Sequence, residues 1–380
     1  MGFNSVLASS DYVENSWSTK TPMSQARSGL GVVAMGGKIY AIGGHTSFDD
    51  FGRQTNFVGT NECYDPKTDT WVMLEPMPTA RHKFAIAECQ NKIYCIGGHI
   101  VDGSRWITYD TVEMYDPVTN SWSTKASLPS PFIEAELTSC VVNGKIYVFA
   151  NNSNGGSPVF MYDPMSNSWT TKTHKPNTTL HYYAPIVVDD KITLTSLYLT
   201  VEVYDPVTNK WVEKENESSF ILIFNSIFAT AVTTGVYAPQ RVYVLGKQYG
   251  TTYLTNWSYD PVNGTQLTSK GTPIYRENFG VAMVDDILYV IGGSNHNDSK
   301  SEILSINEQY VPMGYYGATS ASLPNFFSNN NSTEDLKLIG NIVLIGLIAI
   351  IVTVVVGIIV ICHFSISKKE EKQTNRKLIR

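Results

Sequence analysis

The stretch "YDPVTNSW", Tyr115–Trp122, decides the fold, because the chain writes it four times. The other copies are "YDPKTDTW" (Tyr64–Trp71), "YDPMSNSW" (Tyr162–Trp169) and "YDPVTNKW" (Tyr204–Trp211). A fifth, "YDPVNGTQ" from Tyr259, has lost its tryptophan. Asp before Pro suits a tight turn: the carboxylate accepts from backbone N–H groups just ahead, and Pro presets φ. The Tyr and Trp on either side of that turn bury ring area between packed sheets.

Between the copies lies a second element. It reads "GGKIYAIGG" (Gly36–Gly44), "NKIYCIGG" (Asn91–Gly98), "GKIYVFA" (Gly144–Ala150), "DKITLTS" (Asp190–Ser196), "QRVYVLGK" (Gln240–Lys247) and "DILYVIGG" (Asp286–Gly293). Successive phrase tyrosines are separated by 42 residues (Tyr162 to Tyr204) to 55 residues (Tyr204 to Tyr259). Each unit reads as four strands: an apolar first strand, a tight turn, the second element, a variable loop, a third strand ending in Tyr, and a fourth carrying Trp. A lone four-stranded unit cannot bury its own faces, so the units must stack.

A second strand ending in Gly-Gly, followed by Tyr and Trp at fixed separation, resembles the kelch repeat. The lead-ins "PMSQARSGLGV" and "PMPTARHKFAI" are similar to that family's as well. The resemblance covers residues 11–310 and implies an all-β, six-bladed kelch-type β-propeller around a central channel. The last unit has a third strand, "SEILSINEQY" (Ser301–Tyr310), but neither an Asp-Pro turn nor Trp. "DYVENSW" (Asp11–Trp17) supplies the missing half, so an N-terminal strand is expected to complete blade six and close the ring, removing open edges.

Composition agrees with a folded β protein. A hydrophobic content of 43% against 16% charged excludes a disordered chain. A net charge of −6 argues against nucleic acid as a partner. Of the five cysteines, none forms a CxxC pair, so a zinc site has no support. Cys63, Cys89, Cys95 and Cys140 read as buried free thiols, with pairing among them as the alternative.

The C-terminal region has a different character. Ile342–Ile361, "IVLIGLIAIIVTVVVGIIVI", is 20 residues without a charge. As a helix it spans roughly 30 Å, the thickness of a bilayer core. The tail beyond it carries Lys368, Lys369, Lys372, Arg376, Lys377 and Arg380, which places it in the cytoplasm and the bulk of the chain outside. The expected organisation is a leader remnant or disordered stretch (1–10), the propeller (11–310), a stalk (311–337), a single transmembrane helix (338–362) and a basic cytoplasmic tail (363–380). "MGFNSVLASS" lacks the features of a signal peptide, so either a start lies upstream or the propeller is a tail-anchored cytosolic scaffold. Eight Asn-x-Ser/Thr sequons before the span favour the exterior. Ala349, Thr353 and Gly357 share a helix face, an expected site for a helix-mediated dimer. Cys362 is a lipidation candidate.

No catalytic constellation emerges: "GGK" at Gly36–Lys38 precedes Ile39 and sits in a hairpin turn, not a phosphate loop. The ligand-binding candidates are positional. The innermost strands are expected to begin at Arg27, Arg81, Phe132, His181 and Arg276, near the channel mouth, where they form a cationic, partly aromatic cup. Alternatively each Arg holds its own blade's corner by bonding backbone carbonyls. His45 and His99 follow Gly-Gly pairs and, with His296, fall on one rim; a metal there is disfavoured, and no cofactor is expected. Asp189–Asp190 and Asp285–Asp286 are expected to be solvated turns.

These features predict a non-enzymatic recognition module for a protein or glycan, anchored in the lipid bilayer of the cell membrane and acting through blade-end loops. The plan resembles surface-anchored kelch-repeat proteins of prokaryotes. The alternative is an enzyme of the kind some kelch propellers become, such as a sialic-acid mutarotase or epimerase, using the channel mouth.

Overall fold

The computed structural model describes residues 12–129, 136–151, 157–175, 185–195, 201–214, 224–248, 253–261, 265–297 and 300–316. The apolar run 342–361 expected to span a membrane, the basic tail, Cys362, Phe132 and His181 lie outside them.

Six antiparallel four-stranded sheets form the blades. From the innermost strand outwards, blade 1 is Gly31–Met35, Lys38–Ile42, Asn61–Asp65 and Thr70–Leu74. Blade 2 is Ala85–Cys89, Lys92–Ile96, Val112–Asp116 and Ser121–Lys125. Blade 3 is Glu136–Val142, Lys145–Asn151, Ser157–Asp163 and Ser168–Lys175. Blade 4 is Pro185–Val188, Lys191–Thr195, Val201–Asp205 and Lys210–Lys214. Blade 5 is Phe224–Val232, Val242–Gln248, Leu254–Tyr259 and Gln266–Ser269.

Blade 6 takes three strands from the end of the propeller, Gly280–Val284, Ile287–Ile291 and Asn307–Val311, and its fourth from the beginning, Ser16–Lys20. Trp17 stands opposite Tyr310, the register that Trp122 and Tyr115 hold within blade 2. The orphan half-phrase therefore closes the ring as its sequence implied.

The repeated phrase also has a job between blades. Asp116 Oδ1 accepts from the Val118 N–H at 2.9 Å, making the expected turn. Asn120, held at φ 48°, then accepts both from its own Tyr115 hydroxyl (2.6 Å) and from the Glu75 N–H at the end of blade 1 (3.0 Å). Trp122 Nε1–H donates to the carbonyl of that same Glu75 at 2.8 Å. One residue of the preceding blade is thus clamped on both its backbone groups. Blade 3 clamps Ala126 with Asn167 and Trp169, and blade 4 clamps Thr173 with Asn209 and Trp211. Blade 1 clamps Thr21 with Asp69 and Trp71, and the closing strand clamps Lys270 with Asn15 and Trp17. Asn and Asp suit this position because they tolerate positive φ and carry the acceptor. Blade 5 has Gly264 and Gln266 where the Asn and Trp would stand. Its seam with blade 4 buries Ile186, Val242 and Val244, flanked by Trp257 and Tyr259.

The apolar core is spread over the seams. Ile93, Cys95 and Tyr115 of blade 2 pack on Tyr40, Ile42 and Cys63 of blade 1; Tyr289 and Ile291 of blade 6 pack on Ile39, Ala41 and Tyr64. At the channel end of the blade 6–blade 1 seam the approach is close enough to require glycine. A Cβ on Gly280 would lie 2.1 Å from Val32 Cγ2. Cys63, Cys89, Cys95 and Cys140 are free thiols.

Two expectations need correction. Asp286 is not a solvated corner: it is 1% exposed. Its carboxylate accepts from the backbone N–H groups of Thr234, Val236, Tyr237 and Ala238 and from the Thr234 hydroxyl, pinning the 233–241 loop of blade 5 to blade 6. The propeller also continues past 310. Its last strand ends at Val311, and 312–316 fold back on the blade 5 loop through Arg241 Nη1–H to Met313 O (3.0 Å) and Tyr316 N–H to Tyr237 O (2.9 Å).

Candidate recognition surface

The strand directions define two ends. First-to-second turns and the YDP turns lie at one end, together with the chain exit at 312–316. Lead-ins and second-to-third loops lie at the other. At the turn end a cavity of about 290 Å³ opens between the innermost turns of blades 6, 1 and 2, lined by Met35, Gly36, Glu88, Met283 and Asp285 among others.

The lead-in end holds the sequence candidates. Arg27, Arg81 and Arg276 are each 0% exposed and make intrablade ion pairs: Arg27–Glu62 at 2.7 Å, Arg81–Glu113 at 2.5 Å and Arg276–Glu308 at 2.7 Å. Each also donates to second-strand carbonyls: Arg27 to Ala41, Arg81 to Cys95 and Arg276 to Val290, all at 3.1 Å. The partner glutamate lies two residues before the phrase tyrosine, a pairing that was not read from the sequence. These are the bonds of the corner-holding alternative, joined by a carboxylate that discharges the guanidinium. Burial lowers the Arg27 and Arg276 pKa values, Arg276 to about 10, and the glutamates oppose that shift.

The Gly-Gly pairs turn the chain so that the next blade's arginine backbone can approach. Gly44 N–H donates to Arg81 O at 3.0 Å, and Gly293 N–H to Arg27 O at 2.9 Å. Directly after the Gly-Gly pairs of blades 1 and 2 come His45 and His99. They are brought together by a third imidazole that sequence reading missed, His82, next to Arg81. His82 lies 5.1 Å from His45 and 4.4 Å from His99, ring centre to ring centre, edge to face with both. The Nδ1 atoms of His45 and His82 are 3.2 Å apart. Burial, then the Lys83 charge and a neighbouring histidine, holds His45 and His99 down to about 4, and His82 lies well below its ordinary value. His296 stands apart, on Phe48 (5.5 Å) and hydrogen-bonded to Ser294 and Ser301. Among the described residues no cluster of metal-ligating side chains forms.

Above this stack rise three β-hairpins, from blades 1 (His45–Phe48 with Gln54–Phe57), 2 (His99–Asp102 with Arg105–Thr108) and 6 (Ser294–Asn297 with Lys300–Ile303). The blade 1 tip, "DDFGR", is held rigidly. Asp49 accepts from the N–H groups of Phe51 and Arg53 at 2.9 Å and pairs with Arg53 Nε at 2.7 Å. Arg53 lies 4.9 Å above the Phe51 ring and donates to Gly103 O of the blade 2 hairpin at 3.1 Å. Phe51 is nevertheless 82% exposed, with Trp106 (41%) and Ile107 (39%) on the adjoining hairpin. An exposed aromatic on a fixed tip binds with little ordering cost, the property of an interface anchor.

The Kelch motif family matches residues 26–78, 80–129 and 275–314, the blades that carry the Arg–Glu pairs and hairpins. Kelch-like protein 35 of Mus musculus is 33% identical over 134 residues, 35% of this chain and 21% of that protein. The influenza virus NS1A-binding protein of Homo sapiens is 41% identical over 78 residues, 20% of this chain and 11% of that protein. The chain thus spans about a fifth or less of the length of these curated relatives. The solved structure of YjhT aligns with a TM-score of 0.52 at 14% identity, covering 76% of this chain and 96% of that one, a likeness of fold. The fold is a six-bladed β-propeller, and three of its blades, 1, 2 and 6, match the Kelch motif.

Proposed function

We propose that this chain is a non-enzymatic recognition module that offers the hairpin face of blades 6, 1 and 2 to a protein ligand. The observation that carries the reading is Phe51: a large apolar side chain, 82% exposed, on a tip locked by Asp49 and Arg53. A relative named for binding a viral protein supports protein over glycan as the ligand class. The lead-in arginines, which an enzyme at the channel mouth would use, are engaged inside their blades. The proposal includes anchorage: the apolar run 342–361 crosses the cell membrane, with the propeller outside and the basic tail in the cytoplasm. The hairpin face then lies at the propeller end away from the chain exit at Tyr316.

The test compares full-length variants expressed in their own cells. Phe51→Ser with Trp106→Ser should lose proteins that co-isolate with the unaltered chain. Val118→Ser with Val207→Ser, at exposed turns of the opposite end, should keep them. The reverse pattern would reject the hairpin face. Protease treatment of intact cells should remove the propeller; protection would place it in the cytosol.

A further inference from the structure

The histidine stack beneath the hairpins has no role in recognition as described, and it is built at a cost. His45, His82 and His99 are 1%, 0% and 2% exposed, and the Nε2 atom of each is buried with no hydrogen-bond partner. Apolar rings would fill the same space without that penalty. The rings also carry the hairpins. Phe57 packs 4.8 Å from His82, Phe48 5.2 Å from His45 and Trp106 4.4 Å from His99. Backbone bridges tie Ser28 to His45 and His82 to His99 at the bases of the blade 1 and blade 2 hairpins.

The stack tolerates neutrality and resists charge. In the His45–His82 bond one Nδ1 donates and the other accepts; with both rings protonated, two N–H groups face each other at 3.2 Å. Besides one another, the groups acting on the rings are Lys83, next to His82, and, on His45, the more distant His296. The nearby carboxylates are spoken for: Asp49 by Arg53, Glu113 by Arg81, and Glu277 of the blade 6 lead-in by the Tyr275 hydroxyl. Asp102 and Arg105 close the blade 2 hairpin, and Lys300 and Glu302 belong to that of blade 6.

The geometry points to an acid-sensitive latch: protonation of the His45–His82–His99 stack releases the hairpins of blades 1 and 2 and so dismantles the recognition face. That this releases a ligand rests on the proposed function; the opening itself does not. A ring that is neutral and buried when closed, and hydrated when open, draws the equilibrium towards the open form as protons become available. The switch adds a condition to binding: a ligand captured near neutral pH is let go in acidified surroundings.

The experiment is hydrogen exchange on the full-length protein in detergent micelles, without ligand, at pH 7.5 and 4.5, with protection corrected for intrinsic rates. Amides of 45–57 and 99–108 should lose roughly tenfold or more protection at pH 4.5, while those of the second strand of blade 3 change little. His82→Gln, which hydrogen-bonds but does not titrate, should reduce the loss to about threefold or less; His99→Gln serves if that variant fails to fold. Hairpins that keep their protection at pH 4.5, an equal loss in the Gln variant, or a loss spread evenly over all blades would overturn the latch. Because no ligand is present, the latch can fail while hairpin recognition stands, and the co-isolation test can fail while the latch stands.

Discussion

Replacing Glu113 by Gln probes the element that most separates a structural from a ligand-binding role for the lead-in arginines. Gln keeps the shape and an acceptor but removes the anion 2.5 Å from Arg81. Both side chains are almost wholly buried, so the guanidinium is left charged in a poorly solvated site. Removing one partner of such a pair costs about 3–5 kcal/mol. Retention of the amide acceptor puts this substitution near about 3 kcal/mol. Arg81→Met costs as much or more, since it also frees the carbonyls of Thr79, Cys95 and Gly97. The double variant should resemble Arg81→Met alone, because the introduced amide no longer faces an unpaired cation. Thermal unfolding by circular dichroism, at about 2 °C per kcal/mol for a large domain, should show Glu113→Gln melting roughly 6 °C below the unaltered protein. The cycle should give a coupling of about 2–3 kcal/mol. Strictly additive single effects, or an unchanged melting temperature in Glu113→Gln, would refute the corner-holding account and return Arg81 to the channel mouth.

Three other outcomes follow from the same structure. Deleting residues 1–20 removes the fourth strand of blade 6 together with the Asn15 and Trp17 clamp on Lys270, and should lower the melting temperature far more than removal of residues 1–10. Gly280→Ala places a Cβ 2.1 Å from Val32 and should destabilise by about 1–3 kcal/mol; denaturant titration of tryptophan fluorescence reads it. The blade 4–blade 5 seam lacks the Asn and Trp of the phrase, so hydrogen exchange should show Val242–Gln248 opening before Lys92–Ile96.

The blade count, the strand order and the closing N-terminal strand were legible because each rests on local rules: turn chemistry at Asp-Pro, recurring short apolar runs such as "KIYAI", and an orphan half-phrase. What the phrase does between blades was not, because Asn120 and Trp122 act on Glu75, 45 and 47 residues away. Asp286 escaped for a similar reason: it looks like any Asp-Asp turn, and only the longer blade 5 loop converts it into a buried acceptor. Arg27, Arg81 and Arg276 stand out in the sequence as lead-in residues, but their glutamates sit on a different strand. His82 has no motif of its own beside Arg81, and exposure of Phe51 is a property of the folded tip. Phe132 and His181 lie outside the described residues.

Engagement of a protein by the hairpin face is the central claim, and cross-linking tests it most directly. A photoreactive benzoylphenylalanine is placed at Phe51 in one full-length protein and at Val118 in another, and intact cells are irradiated. A discrete protein adduct is predicted at position 51 and none at 118. Adducts at 118 with none at 51, or no difference between the two, would contradict it.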